Sequence, residues 1–176
     1  ETLGRIPPSI SRKLAAWPIT GPSFGSDSAA ITTTAVKDGD AYNLNGEKIY
    51  VTAGERADSV VVWATLDKSL GRAAIKSFLV TKDTPGIRVE RFEHKLGIHA
   101  SPTCTMTMGD KGGTIAYLIG AENGGMPAMF TMMNQARLGV GIQGVGIADR
   151  AYQRALSSAQ ERKQGRARGS KRDGPH

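Results

Sequence analysis

Residues 41–52 read AYNLNGEKIYVT, and this stretch indicates the fold class of the chain. Asn45-Gly46 is a strong hairpin-turn signal, and the segments 41–45 and 48–52 beside it are typical of extended strands. Tyr50 and Thr52 are two residues apart and would face the same side of a strand. A ring and a hydroxyl on one face can stack on and hydrogen-bond to an aromatic cofactor, but such a pair is also typical of ordinary packing.

Short β-prone segments continue on both sides of this stretch and are separated by turn residues. They cover residues 30–37 before it and residues 59–65, 75–81, 87–92, 103–108 and 114–119 after it. Asp38-Gly39-Asp40 and Thr84-Pro85-Gly86 supply two of the turns between them. Many short strands at regular turn spacing predict a small antiparallel β-barrel or sandwich.

The period of the apolar residues changes from Gly125 onward. Apolar side chains then recur at the i, i+3, i+4, i+7 spacing of an amphipathic helix, beginning with Met126, Met129, Phe130 and Met133. The pattern predicts one long α-helix to about residue 163, where Gly165 stops it. Since no partner helix follows, an exposed apolar face is expected, to be covered by a missing domain or by another subunit. The predicted class is therefore α+β.

These segments divide the chain into four predicted parts. Residues 1–16 form a lead-in segment, residues 17–120 form the β-domain, residues 121–165 contain the long helix, and residues 166–176 form a basic tail. No apolar run approaches the roughly 18 residues that a membrane span needs. The first residues lack the apolar core of a signal peptide, so the chain is predicted to be cytoplasmic and to be cut from something longer.

The net charge of +7 is concentrated at the end of the chain. Residues 162–176 carry six lysines and arginines against Asp173 alone, so five of the seven net charges lie there. A basic end of this kind is usually a solvated surface. The alternatives are contact with a nucleic acid or with an anionic cofactor.

Metal and thiol chemistry have little support in the sequence. Cys104 is the single cysteine and alternates with threonines, so it is predicted to be buried and inert. His94 and His99 are five residues apart without a carboxylate or thiol pattern, so structural roles are favoured over metal binding. No metal site is predicted.

The segment with the clearest chemical character is WPITGPSFGSD, residues 17–27. It is an extended aromatic and apolar stretch that enters a loop rich in glycine and hydroxyls. Such a loop can offer backbone N–H groups and short side-chain donors to a planar, polar ligand. The sequence therefore predicts a ligand-binding loop here.

The order of these motifs resembles the acyl-CoA dehydrogenase family. The Thr20-Gly21-Pro22-Ser23-Phe24-Gly25-Ser26-Asp27 loop resembles its Thr-Glu-Pro-x-x-Gly-Ser-Asp signature. Tyr42-Asn43-Leu44-Asn45-Gly46-Glu47-Lys48 and Tyr50-Val51-Thr52 follow at the spacing of that family. The resemblance extends over residues 17–165 and implies an FAD-binding β-domain followed by the first long helix of a helical domain.

The resemblance also implies roles for individual residues. Trp17, Ile19 and Thr20 would line the isoalloxazine ring, and Ser26 would lie near the flavin or the substrate thioester. Tyr50 would pack on the ring, and the Thr52 hydroxyl would hydrogen-bond near its reactive nitrogen.

Three residues in the C-terminal part receive roles from the same resemblance. Asn134 and Arg137, on the helix, would meet the coenzyme A moiety. Arg162 would reach the FAD of a neighbouring subunit, where its guanidinium suits a pyrophosphate.

The activity implied is the α,β-dehydrogenation of an acyl-CoA thioester to the enoyl-CoA. Electron-transfer flavoprotein would accept the electrons, and the full-length protein would form a homodimer or homotetramer. The base that removes the α-proton is expected beyond His176, and Ala136 occupies the alternative position for it, so no catalytic residue is assigned. A non-catalytic flavin-binding or assembly module is the alternative function, and nucleic-acid binding through the basic tail is a weaker one.

The chain departs from the family pattern at two places. Gly21 stands where the family usually has Glu, which affects the geometry expected of the loop. Gly165 directly follows Gln164, without the aromatic residue that most members place there. Residues 129–134 and the Gln164-Gly165-Arg166 ending resemble the branch that includes methylmercaptopropionyl-CoA dehydrogenases.

Overall fold

The computed structural model describes residues 13–121, 124–163 and 165. The chain divides into two compact units, with the boundary between Phe130 and Thr131. The first unit holds eight strands: β1 Ala15–Ala16, β2 Thr34–Asp38, β3 Ala41–Thr52, β4 Ser59–Thr65, β5 Ile75–Thr81, β6 Arg88–Phe92, β7 Thr103–Met108 and β8 Thr114–Leu118. The long helix α1 spans Gly125–Glu161, so its first turns belong to the first unit and the rest to the second.

Five of the strands form a closed ring. β2 pairs with the first half of β3, β3 with β8, β8 with β5, and β5 with β4, all antiparallel. The parallel pair Thr34–Thr65 then joins β2 to β4 and completes the circuit. The second half of β3 leaves the ring and pairs with β7, which in turn pairs with β6. The predicted α+β class with a small, mainly antiparallel barrel is confirmed.

The predicted hairpin turn at Asn45-Gly46 is wrong, because β3 runs through these residues without a break. The turn that connects β2 to β3 lies instead at Gly39, which has a φ of +59°. β3 changes partners at Asn45-Gly46, from β2 and β8 to β7. A Cβ on Gly46 would lie 2.9 Å from Thr33 Cα, so the glycine permits a close crossing of two chains at a barrel corner.

The other predicted strands agree closely with the structure. Segments 59–65, 75–81 and 103–108 are strands over those bounds, and β6 and β8 differ from prediction by one residue. The predicted strand at 30–37 begins only at Thr34, because Asp27 caps a 3-10 turn at Ser28–Ala30. β1 lies within the predicted lead-in segment and pairs in parallel with β4.

The core consists mainly of buried apolar side chains from the ring and from β7, among them Leu44, Val51, Val62, Phe78 and Met106. Tyr42 and Phe78 pack with ring centroids 5.0 Å apart. Cys104 is fully buried, as predicted, and burial raises the pKa of its thiol.

The helix of the second unit carries apolar side chains on more than one side. Those that are exposed are Leu138, Val140, Ile142, Val145, Ile147, Tyr152 and Leu156. The predicted exposed apolar face is therefore confirmed, and its spread around the axis is typical of a helix covered on several sides. No helix in the described residues has the length and apolar character to cross a membrane. The basic tail at 166–176 lies outside the described residues.

Candidate functional site

The segment that follows β1 is fixed at its start by β4 and the turn before it. The Leu14 N–H donates to Asp58 Oδ2 at 2.9 Å, and Ala15 and Ala16 pair with Ser59 and Val60. Pro18 is buried, whereas the Trp17 side chain on the other side of the chain is 40% exposed. The extended segment thus presents an indole ring at the surface while its neighbours are anchored.

β3 holds the next two residues of this segment by their carbonyl groups. Lys48 Nζ donates to the Ile19 carbonyl oxygen at 2.9 Å, and the Ile49 N–H donates to the Thr20 carbonyl oxygen at 2.9 Å. Lys48 is 0% exposed, and this burial lowers the pKa of its ammonium to about 7. The predicted loop residues Ile19 and Thr20 therefore lie directly beside the end of β3.

The rest of the loop folds on itself through its backbone. The Gly21 N–H donates to the Phe24 carbonyl at 3.2 Å, and the Phe24 N–H donates back to Gly21 at 3.4 Å. Asp27 caps the following 3-10 turn by accepting from the Ala29 N–H at 3.1 Å. Ser26 lies between these two structures and is exposed. The loop closes although it lacks the carboxylate of the family signature at Gly21.

We expect Gly21→Ala to leave the folded structure intact and to raise the free energy of unfolding by up to about 1 kcal/mol. A Cβ at this position would meet only Thr32 Oγ1 at 3.8 Å and the Glu47 carbonyl oxygen at 4.0 Å. Replacing glycine also restricts the unfolded chain. Urea unfolding of both proteins measures the difference, and a loss of more than 1 kcal/mol would mean that the turn requires glycine.

A β-bulge turns Tyr50 outward. Lys48 is paired with Met106 and Val51 with Cys104, so β3 carries one extra residue between these pairs. Tyr50 has a φ of +58°, which is uncommon for a residue with a side chain and stores backbone strain. Val51 is consequently buried, and Tyr50 and Thr52 are both exposed, Tyr50 by 63%. That Tyr50 and Thr52 share a side remains a prediction.

The surface at this end of β3 suits a planar ligand with polar edges. Trp17 and Tyr50 offer exposed rings, and such rings stack on other aromatic systems. Within the described part of the chain, the hydroxyls of Thr20, Ser26 and Thr52 form no hydrogen bond with protein groups. They are therefore available to a ligand. The roles given to these residues, and to Ile19, remain predictions.

The three predicted residues of the second unit lie on or just beyond α1. Asn134 and Arg137 are exposed and three residues apart, so they share one face of the helix. Arg162 directly follows the helix, where its N–H donates to the Ser158 carbonyl at 3.0 Å. Their contacts with coenzyme A and FAD remain predictions.

The histidines lie in the connection between β6 and β7. His99 Nε2 is 2.7 Å from the Lys95 carbonyl oxygen, and an open pocket of about 290 Å³ lies among residues 92–103. In the described part of the chain, no three His, Cys, Asp or Glu side chains are placed to hold a metal ion.

Lys48 is the residue of this region that sequence reasoning missed. In the sequence it stands only as the last residue of the motif from Tyr42 to Lys48. Tyr42, Leu44 and Lys48 share the same parity along β3, and all three are buried. That alternation was the available signal for an inward-facing lysine.

Most of the chain is similar in sequence to known proteins. A sequence model of the family described as acyl-CoA dehydrogenase, middle domain, matches residues 16–110. A short-chain-specific acyl-CoA dehydrogenase of Clostridium acetobutylicum is 36% identical over 159 residues, which are 90% of this chain and 42% of that protein. The 3-methylmercaptopropionyl-CoA dehydrogenase of Ruegeria pomeroyi is 41% identical over 164 residues, covering 84% of this chain and 27% of its own length.

The fold is similar to solved structures as well. A protein described as an FAD-dependent dehydrogenase aligns with a TM-score of 0.81 and 36% identity, over 94% of this chain and 45% of that one. The chain thus spans less than half the length of these proteins. The matched family model covers more than half of the chain and includes both the loop at 17–27 and all of β3. This chain belongs to the acyl-CoA dehydrogenase family, and residues 16–110 match its middle domain.

Proposed function

We propose that the surface formed by the 17–27 loop and the end of β3 binds the isoalloxazine ring of FAD. The observation that carries this proposal is the presence of exposed rings and unbonded hydroxyls on the loop and on the end of β3, two segments that are joined through Ile19 and Thr20. Lys48 and Ile49 bring Ile19 and Thr20 to this edge, and the bulge brings Tyr50 to it. The solved relative described as FAD-dependent supports the choice of flavin.

Different residues of this surface would contact different parts of the flavin ring. Trp17 and Tyr50 cover apolar ring surface and exclude water from it. Thr20 and Ser26, with the backbone N–H groups of their loop, donate to its polar edge. Thr52 places a hydroxyl beside the reactive nitrogen. When bound, FAD supplies the capacity to accept a hydride, which no side chain of the protein has.

The activity proposed for the full-length protein is α,β-dehydrogenation of an acyl-CoA thioester. The names of both relatives given above describe acyl-CoA dehydrogenases, and they support this reaction. Asn134 and Arg137, one helical turn apart, would bind the coenzyme A moiety. The carboxylate that removes the α-proton is not assigned to any residue of this chain.

The partners and the setting follow from the family resemblance. We propose electron-transfer flavoprotein as the electron acceptor, a cytoplasmic location and a homodimer or homotetramer in which Arg162 reaches the neighbouring FAD. The exposed apolar residues of α1 support an assembly in which other helices cover this element. The same exposed residues favour the second candidate function, an assembly module without catalysis.

The FAD-loaded full-length protein is expected to reduce an electron-accepting dye when acyl-CoA thioesters of different chain lengths are added. The 176-residue chain alone is expected to bind FAD weakly and to oxidise no thioester, because it has no assigned base. Visible absorption reports the bound flavin, and dye bleaching reports turnover. Flavin binding by the full-length protein without turnover of any thioester would favour the assembly module. Rapid turnover by the 176-residue chain would place a base within it.

A further inference from the structure

Lys48 is an unusual residue to find in the interior of this domain. Its side chain is fully buried, and within the described residues it forms no ion pair. Removing an ammonium from water without a neutralising partner is unfavourable, and an apolar side chain of similar length would avoid that penalty. Packing therefore does not account for an amine at this position. Its hydrogen bond does.

The acceptor of that hydrogen bond lies far away in the sequence and next to the proposed ligand surface. Lys48 Nζ donates at 2.9 Å to the carbonyl of Ile19, which lies between the exposed Trp17 and Thr20. The adjacent residue Ile49 holds the next carbonyl, that of Thr20, through its backbone N–H. Two consecutive β3 residues thus fix two consecutive carbonyls of the loop segment.

Lys76 provides a comparison within the same domain. It is also buried, and its Nζ also donates to one carbonyl at 2.9 Å. Its acceptor is Ala73, three residues earlier in the turn that leads into β5. The bond of Lys76 is local, whereas that of Lys48 joins segments 29 residues apart. Of these two buried lysines, Lys48 is the one that contacts the segment beside the proposed flavin surface.

We propose that Lys48 is a positioning residue that fixes the 17–20 segment in the geometry needed to bind the flavin ring. It contacts the segment's backbone from inside the domain and does not touch the flavin. This inference rests on the proposed FAD site. The Ile49 N–H shares the task, because it fixes Thr20 from the same strand.

The test compares Lys48→Met with Lys76→Met in the full-length protein. Both substitutions remove a buried amine that donates to a carbonyl and keep a long apolar side chain. Lys48→Met is expected to raise the dissociation constant for FAD by about tenfold, the effect of losing one hydrogen bond that positions the segment. Lys76→Met is expected to change it less than about twofold.

Two further readouts separate positioning from a general loss of stability. In Lys48→Met, the visible circular dichroism of the bound flavin is expected to change, and the Ile49 amide is expected to exchange faster with solvent. In Lys76→Met, both are expected to stay as in the wild type. Equal FAD affinity and equal spectra for wild type and Lys48→Met would overturn the proposal, as would equal losses in both variants.

A wild-type measurement covers the case in which Lys48→Met does not fold. With ¹⁵N-labelled lysine, the Nζ resonance of Lys48 is expected to shift on FAD addition, while that of Lys76 does not. An unchanged Lys48 resonance with FAD bound would contradict the positioning role. Absence of FAD binding by the wild type would instead contradict the proposed function itself, so the two failures are distinguishable.

Discussion

Trp63→Ala is expected to lower the free energy of unfolding by about 3 to 5 kcal/mol, the usual loss for a large aromatic side chain removed from a core. Trp63 lies in β4 and is only 1% exposed. Its Nε1–H donates to the Gly125 carbonyl oxygen at 2.8 Å. The substitution would leave a cavity and remove the hydrogen bond between β4 and the first residue of α1.

Trp63→Phe is the matched control, because it keeps most of the apolar contact and removes only the N–H donor. It is expected to cost about 1 kcal/mol, the net contribution of one hydrogen bond, because the Gly125 carbonyl keeps its partner within the helix. Urea unfolding of the three proteins measures both differences. Equal stability of Trp63→Phe and wild type would mean that the bond to Gly125 contributes nothing.

The close packing of this helix start against β5 explains why the first residue of α1 is a glycine. A Cβ on Gly125 would lie 2.5 Å from the Ile75 carbonyl oxygen and 2.8 Å from Lys76 Cα. Both atoms belong to the backbone of β5 and have little freedom to move aside. The first turn of α1 therefore packs on the sheet at a distance that only glycine permits, with Trp63 securing it.

The second large effect is expected in the pH dependence of stability. We expect the free energy of unfolding of the wild type, minus that of Lys48→Met, to rise by about 1.4 kcal/mol per pH unit between pH 7.5 and 9.5. Burial lowers the pKa of Lys48 from 10.5 to about 7. In this window the unfolded chain binds a proton at Lys48 that the native protein does not bind. Raising the pH therefore weakens the stabilisation of the unfolded chain by proton binding at Lys48, and the native state becomes relatively more stable.

The full penalty follows from the same shift. From pH 10.5 down to about 7, burial of Lys48 destabilises the native state by an amount that grows to the order of 5 kcal/mol. Below pH 7 both states bind the proton, and the penalty stays constant. Urea unfolding at three pH values measures the difference, in which titration of all other groups cancels. Parallel curves for the two proteins would show that Lys48 titrates as an exposed lysine does.

The parts of the fold that the sequence predicted well depend on short-range patterns. Ser59–Thr65 is a continuous apolar run, and the structure buries five of its seven residues. Ile75–Thr81 is likewise buried at five of seven positions. The helix at Gly125–Glu161 has a period that no strand can share. For these elements, the local residues alone determine the type of structure.

The turn predicted at Asn45-Gly46 is wrong because the glycine is required by a contact with a residue that is distant in the sequence. The dipeptide is typical of a two-residue turn, and nothing nearby distinguishes a turn from a strand crossing. The reason for Gly46 is the approach of Thr33, which only the closed barrel reveals. The turn lies at Gly39 instead. The Asp38-Gly39-Asp40 sequence also predicts a turn there.

The candidate surface was predicted residue by residue only where a motif existed. Trp17, Thr20 and Tyr50 were selected by resemblance, and the structure brings Ile19 and Thr20 to the strand that carries Tyr50. The sequence does not indicate the burial of Lys48, because a lysine in a strand is expected to face solvent. Its inward direction depends on the register of β3. The outward direction of Tyr50 depends on a bulge for which the sequence contains no signal.

The most direct test of the flavin surface is a map of backbone amide shifts when FAD is added to the ¹⁵N-labelled protein. The largest shifts are expected in residues 17–26 and 50–52, with little change in β6 or in the connection that holds His94 and His99. Shifts concentrated around residues 92–103, or none in the 17–26 loop with flavin bound, would contradict the assignment of this surface to FAD.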